Sequence, residues 1–577
     1  LVTDAAWKVR FADWYTRTSW LYTLPLGPQE HFDGTKEPRG WKTEPAGEGW
    51  ADAFVLGGAG TPPWKSLVTS ELPQSVRRRV QPELIWSGTT SRERCDLRLV
   101  NPAAALGALE FIAGEASAAN VWVYDFGQTC SVSLGLDVLE LTGAVRLEFH
   151  ADIAWSGSPA ASLGFGNPEE GCCDTVELGG KGFCWRGAVP RGMRFLTVRL
   201  VGEGTATLGY QHDVVEYRYP DKPTPFAADS FFAKVWEVSK TTLVCSTTDQ
   251  IGEPARENVL WTLDACVAGK AAWYTFGEAA LWRHCLLLIA DGIDADGTPH
   301  AVVPASDSFM ILFDQTLLWV VSCREYVELT GDRSLAALVA PAIARFLDQC
   351  RRHVTADGLF VPPGYAWHWV DWAKLDKRPY SFPVNGLLLW AAQAALVLGT
   401  VSGTQQTSAT KLARTLRTSL LRFWDPQAQA FRSRLACEID EPWNSINTMH
   451  PEETTYPVEF DLHSNALAWW TGLGTKAQRR GGVRKILALF EASRKNELGY
   501  GPLLGNGWTQ LLLGPVFREG FSDEGLAILH ELYQPWLDLG CVTWGEHFRP
   551  SLYNTAHGWG ACVNSLLAEE VLHARSR

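Results

Sequence analysis

Tyr219-Pro220-Asp221-Lys222-Pro223 divides a 577-residue chain into two patterns of hydrophobicity, and the fold class is read from the change across it. On its N-terminal side, from about residue 85 to about residue 215, apolar residues recur at every second position, the period of half-buried strands. Val132, Leu134, Leu136 and Val138 alternate with Ser131, Ser133, Gly135 and Asp137. After an expected turn at Thr142-Gly143, Val145, Leu147 and Phe149 alternate with Arg146, Glu148 and His150, and Leu196, Val198 and Leu200 repeat the pattern. Many short strands between Gly-rich turns predict an antiparallel β-sandwich. Beyond the linker the period becomes helical: Phe232, Val235 and Trp236 lie at i, i+3, i+4, and Leu412, Leu416, Leu420 and Phe423 line one stripe. Leu529, Leu532, Tyr533 and Trp536 form another, with Ser522 and Asp523 as expected N-cap residues and Pro535 as an expected kink. Roughly ten to twelve such segments occur without a repeat period, which is most economically an all-α (α/α)6 barrel with its site in the loops at one end.

The expected chain is therefore multidomain: an irregular lead-in over 1–85, a β-sandwich over 86–222 and the (α/α)6 barrel over 223–577. Fifty-one Lys and Arg against 64 Asp and Glu give a formal charge of −13, which argues against a nucleic-acid backbone or an anionic membrane as partner and favours a neutral ligand. The 27 Trp suit the apolar faces of sugars, although most Trp in any domain fill cores. Gly386 to Gly399, GLLLWAAQAALVLG, is shorter than the roughly 20 residues that span a bilayer and reads as a buried helix. No apolar leader is visible in the first thirty residues, and the 13 Cys show no disulfide framework or metal spacing. A cytoplasmic setting is favoured, with secretion still open because the numbering starts at Leu1. No cofactor or metal is expected, and self-association into a homo-oligomer is compatible with the chain.

The densest chemistry lies in Asp249 to Asp264, DQIGEPARENVLWTLD. Hydrolysis of a glycosidic bond asks for a protonated carboxylic acid, charges that tune it and an aromatic wall, and Asp249, Glu253, Glu257 and Asp264 with Trp261 supply the residue types. A helix starting near Asn258 would carry Trp261 and Asp264 one and two turns beyond Glu257, toward one pocket. Spacing alone gives equal weight to a capping acid with surface ion pairs around Arg256.

This segment resembles the signature of the glycoside hydrolase family 78 α-L-rhamnosidases, in which Asp, a spacer and Arg-Asp-Glu-Arg precede Trp-Thr-Gly-Asp-Ala. Glu257, Trp261, Thr262, Asp264 and Ala265 fall on matching positions, whereas Asp249 stands farther from the acid than the family spacing and Leu263 replaces a Gly. The resemblance implies Glu257 as general acid, with Glu253 as its rival, and Asp249, Glu253, Trp261 and Asp264 around the sugar. Leu537 to Phe548, LDLGCVTWGEHF, is similar to the family's Gly-Ala-Thr-Thr-x-Trp-Glu segment, which makes Glu546 the general base, and the following SLYNTAHGWG implies His557 as a pocket histidine. AWHWVDWA (Ala366 to Ala373) resembles the Gly-Asp-Trp loop that would bring Asp371 and Trp372 to the sugar. VYDFGQTCSVSLGLDV, RGMRFLTVRL and FDQTLLWVVSCREYVELTGD resemble structural blocks of the family in the same order.

The implied activity is hydrolysis of terminal α-L-rhamnosyl residues with inversion, with the two carboxyls roughly 6.5–9.5 Å apart to admit water. Trp261, Trp372 and Trp559 are candidates for the apolar patch that the 6-deoxy methyl needs, and Arg256 is expected to point away from the acid. The alternatives are another (α/α)-barrel glycosidase or a polysaccharide lyase, whose unsaturated product would absorb in the ultraviolet. An inactive sugar-binding relative would bind rhamnose without turnover.

Overall fold

The computed structural model describes residues 6–573 apart from 17–20, 24–26, 46, 59–60, 62–69, 71, 92–108, 113–117, 154–172, 256, 258, 305–309, 437–457, 496–503 and 549–555. Two compact units emerge: Leu1–Arg218 with Pro254–Asn258, and Tyr219–Glu253 with Val259–Arg577. The expected orientation of Arg256 falls outside the described residues.

The first unit is built on one ten-stranded sheet. Its strands are β1 (His31–Asp33), β2 (Val76–Arg79), β3 (Glu83–Ser91), β4 (Leu109–Ile112), β5 (Ala118–Ser133), β6 (Gly135–Asp152), β7 (Asp174–Glu177), β8 (Cys184–Arg186), β9 (Arg191–Tyr210) and β10 (Asp213–Glu216). They run in the order β1-β7-β6-β9-β5-β10-β2, with β8 on β6, β3 on β5 and β4 on β9. Every pairing is antiparallel except β1 with β7. The alternating residues Val132, Leu134, Leu136, Val138, Val145, Leu147 and Phe149 are all buried, and the Phe149 ring stacks on Trp185. Ser131, Ser133, Thr197 and Glu148 on the alternate positions are buried too, so parts of the polar face are also covered.

Two expectations change here. Thr142-Gly143 is not a turn: β6 runs through it, and Gly143 (φ 71°) faces Gly204 (φ 149°) of β9. Glycine on both strands allows backbone angles that L side chains avoid, so the strands continue past the point where a break was expected. Nor is the 1–85 region a separate irregular lead-in. It supplies β1, β2 and the start of β3, and puts Trp14 and Phe32 into the core of the sheet. Glu30 fastens it, its main-chain N–H donating to Asp174, whose carboxylate is held at both oxygens by the buried Arg191 guanidinium.

The second unit contains twelve α-helices among the described residues: α1 (Phe231–Cys245), α2 (Thr262–Phe276), α3 (Ala280–Asp291), α4 (Phe313–Thr330), α5 (Ser334–Arg352), α6 (Phe382–Leu398), α7 (Gly403–Leu420), α8 (Leu462–Trp470), α9 (Lys476–Arg494), α10 (Thr509–Arg518), α11 (Ser522–Asp538) and α12 (Val563–Leu566). Burial alternates along the chain. α2 hides thirteen of fifteen residues and the largely apolar α6 thirteen of seventeen, whereas α9 buries only Gly482, Val483, Ile486 and Phe490 of nineteen. Helices apolar on every side belong inside and one-stripe helices outside. The even-numbered helices pack in sequence, α2 on α4, α4 on α6, α6 on α8, α8 on α10 and α10 on α12, and α12 packs back on α2. The expected stripes hold at Leu412, Leu416, Leu420 and Phe423 and at Leu529, Tyr533 and Trp536. Ser522 is the first residue of α11, whose N-cap is Phe521 with no side-chain cap bond, so the expected Ser522 and Asp523 caps are not made. No helix of the described residues is long and apolar enough to cross a membrane.

The five-residue piece Pro254–Asn258 joins the first unit through a close approach of backbones. A Cβ built on Gly192 of β9 would meet the Pro254 carbonyl oxygen at 2.0 Å and the Ala255 nitrogen at 2.5 Å. Gly192→Ala is therefore expected to cost about 1–3 kcal/mol in denaturant unfolding. Gly209→Ala on the same strand, whose Cβ would meet nothing within 4 Å, is expected to be neutral or slightly stabilising.

Candidate active site

Glu546 is held at both ends. Just before it, the fully buried Trp544 donates its main-chain N–H to Thr242 (2.8 Å) and its indole N–H to Ser239 (2.8 Å), which fixes the segment on α1. The Glu546 carbonyl then accepts from the Asn506 main-chain N–H (3.3 Å) and the Trp559 indole N–H (3.2 Å). Its carboxylate Oε1 accepts from the Trp372 indole N–H at 2.6 Å. A carboxylate with a fixed backbone and one aimed donor has a defined direction, which a general base requires.

Trp372 reaches it from an irregular loop, Ala366 to Ala373, that two buried acids pin down. Asp371 is fully buried; its oxygens accept from the main-chain N–H of Gly505 (2.9 and 3.1 Å), from the N–H of Trp372 (2.7 Å) and from His463 Nε2 (2.8 Å). Asp314, in the first turn of α4, accepts from the N–H groups of Trp369 and Val370 and from that of Gln315. Burial pushes its carboxyl up to about 6 in spite of those donors. Between them Val370 adopts φ 60°, a costly left-handed conformation for a β-branched residue. Trp369 stacks on Trp559 (6.0 Å, 19°) and meets Trp372 edge to face.

His557 and Asp264 form a second buried pair, Nδ1 to Oδ1 3.2 Å, with the His557 ring 4.5 Å from that of Trp559. Asp264 lies in the first turn of α2, which starts at Thr262 and not near Asn258, because Leu260–Trp261 pairs as a short strand with Val302–Val303. The proposed shared helix face of Glu257, Trp261 and Asp264 therefore does not exist. Trp261 instead caps α2, and its buried indole nitrogen has no hydrogen-bond partner among the described residues. Glu253 is buried, at 2% exposure, in the helical unit. Glu257 is half-buried and belongs with the sheet unit.

Asp264, His557, Glu546, Asp371 and Trp372 are thus linked through a continuous set of contacts. Asp249 is exposed and accepts from the Thr248 hydroxyl. Asp371, expected to face the sugar, is a structural acceptor with every oxygen engaged. Trp559, expected as apolar patch, is buried behind Trp369. Sequence reasoning missed His463, Asn506 and the edge-on ring of His547 beside Trp372. The signals were present: a lone His at the start of the apolar α8, and the Gly505-Asn506-Gly507 run before α10.

In the sheet unit, ligand atoms of Glu148, His150 and Cys173 lie within 4.8 Å of one another. Glu148 already faces two guanidiniums, Arg146 at 2.9 Å and Arg199. Against its burial, His150 and Arg199 pull its carboxyl down to about 2. Two resident cations leave that cluster poorly suited to a third.

A family profile, the bacterial α-L-rhamnosidase six-hairpin glycosidase domain, matches residues 227–535. No curated protein sequence matches the chain. Among solved structures it is similar to the family 78 rhamnosidase of Bacillus sp. GL1 (17% identity, TM-score 0.66, 82% of this chain and 49% of that one). It is also similar to the Klebsiella oxytoca rhamnosidase with rhamnose bound (19%, 0.65, 86% and 96%) and to the Aspergillus terreus α-L-rhamnosidase (15%, 0.66, 99% and 61%). The chain thus spans about half the length of the Bacillus enzyme. At such identities the likeness is one of fold.

Asp371→Ala leaves the Gly505 and Trp372 N–H groups and the His463 ring without their buried acceptor. Denaturant unfolding should show a loss of about 3 kcal/mol, whereas Asp249→Ala, on the surface, should leave the midpoint unchanged.

Proposed function

Because the chain belongs to the bacterial α-L-rhamnosidase family, glycoside hydrolase family 78, we propose that it hydrolyses terminal non-reducing α-L-rhamnosyl residues with inversion of the anomeric centre. The observation that carries this reading is the Glu546 carboxylate, fixed at both ends and aimed by Trp372, in the segment that resembles the family's base. Glu546 takes a proton from water as the water oxygen attacks C1, and the glycosidic C–O bond breaks as the general acid protonates the leaving oxygen. The resemblance assigns that acid to Glu257, with Glu253 as the rival.

The Asp264–His557 pair and the Trp261 indole N–H, without a partner among the described residues, supply polar groups suited to ring hydroxyls, and the partly exposed Trp367 and Trp372 offer an apolar wall for the 6-deoxy methyl. The cyclic packing of the even-numbered helices, with the amphipathic ones outside, supports an (α/α)6 barrel as the catalytic scaffold. A formal charge of −13 is in keeping with an uncharged rhamnoside as substrate.

An aryl α-L-rhamnoside should be hydrolysed by the wild-type chain. Glu257→Gln and Glu546→Gln should each lose roughly 10²–10⁴-fold in kcat and Glu253→Gln much less. A dead Glu253→Gln with an active Glu257→Gln would transfer the acid role to Glu253. Proton NMR of the first product should show β-L-rhamnose, and initial release of the α-anomer would rule out inversion.

A further inference from the structure

Trp372 matches a family position expected to bring an aromatic wall to the sugar, yet its most defined contact is with another side chain. The indole Nε1–H, a donor only, meets Glu546 Oε1 at 2.6 Å, the short distance of a charge-assisted bond. The ring has little freedom to leave that bond. Trp367, Trp369 and His547 pack edge-on around it at centroid distances of 6.2, 5.4 and 5.8 Å. Its own main-chain N–H is held by Asp371, which is held by His463 and Gly505.

We infer that Trp372 is a positioning residue for Glu546, with the buried Asp371–His463 pair fixing Trp372 in turn. The inference rests on the assignment of Glu546 as base. The bond does two things. It sets the direction of the carboxylate toward the attacking water, and it favours the ionised form over the protonated one, because an N–H donor stabilises the charge. The titratable groups around this arrangement among the described residues include His547 beside the Trp372 ring, His557 over Trp559, Asp264 paired with His557, the Asp371–His463 pair, and Asp314, which accepts from the Trp369 and Val370 N–H groups and whose own carboxyl is raised by burial to about 6.

The test is Trp372→Phe, which keeps an aromatic face and removes the donor, compared with Trp372→Ala and Glu546→Gln on an aryl α-L-rhamnoside. For Trp372→Phe, kcat should fall about 10- to 100-fold with KM within about twofold. The acid limb of its pH profile should move up by about one unit, since a carboxylate without its donor protonates at higher pH. A thermal midpoint within a few degrees of wild type excludes misfolding as the cause. If Trp372→Phe keeps wild-type kcat and pH profile while Trp372→Ala raises KM, Trp372 is a sugar wall only and the inference fails. If Glu546→Gln is as active as wild type, or no rhamnoside is cleaved at all, it is the assignment of the base or of the function that fails. Infrared difference titration, wild type minus Glu546→Gln, then still reads the positioning: the Glu546 carboxyl must titrate higher in Trp372→Phe, and an unmoved titration overturns the inference.

Discussion

The loops that frame Glu546 in the helical unit depend on one buried carboxylate. Asp371 has no access to water, so every hydrogen bond it loses is lost outright, and its four contacts draw three separate stretches of chain to one point. Those stretches are the tryptophan loop through Trp372, the start of α8 through His463, and the turn before α10 through Gly505. The same turn continues into Asn506, whose N–H holds the Glu546 carbonyl and whose side chain donates to Gly545. Fixing Asp371 therefore fixes both the donor that aims Glu546 and part of the frame that carries it. Asp314 completes the arrangement by accepting two consecutive N–H groups across Val370, which holds a strained backbone in place at the base of the loop.

Buried charge is handled differently elsewhere in the helical unit. Lys270 on α2 pairs with Glu325 (2.7 Å) and Glu569 (3.1 Å), Tyr274 donates its hydroxyl to Glu569, and Arg518 on α10 reaches Glu569 and Glu570. Desolvation offsets much of the attraction in such a cluster, so it is weak evidence for stability. What it does specify is which elements meet: each charge is satisfied only when α2, α4, α10 and the final turn of chain are in register. A cavity of about 60 Å³ remains beside it, lined by Lys270, Glu325, Trp390, Trp470 and Trp508. That room suffices for a few water molecules against the ionic wall.

Periodicity made the two regimes legible because burial imposes it directly: Leu147 and Val198 must face inward on a strand, and Leu416 and Tyr533 on a helix, whatever their distant partners. Where the outcome hung on a partner remote in sequence, local reading failed. Thr142-Gly143 looks like a turn until Gly204 is placed opposite it. A helix from Asn258 is reasonable until Leu260–Trp261 finds Val302–Val303, which delays α2 to Thr262. Asp371 resembled a ligand residue because nothing near it in the chain announces His463, 92 positions away. Family resemblance singled out Glu546 and Trp372 as candidates, but it carried no information on the bond between them.

The choice between Glu253 and Glu257 as acid turns on the same kind of non-local fact. The chain leaves the helical unit after Glu253, joins the sheet unit for Pro254–Asn258 and returns at Val259. Gly192 admits this detour, since its missing side chain lets the Pro254 backbone come against β9. Glu253 is left at 2% exposure, whereas Glu257 remains half-buried. A general acid spends its proton in every turnover and must regain one from solvent before the next. A half-buried carboxyl on a segment held at Pro254 and Ala255 meets both needs, a restricted position and a route for the proton. An enclosed one meets the first and exchanges its proton more slowly, so on this count the proposed acid role suits Glu257 better than Glu253.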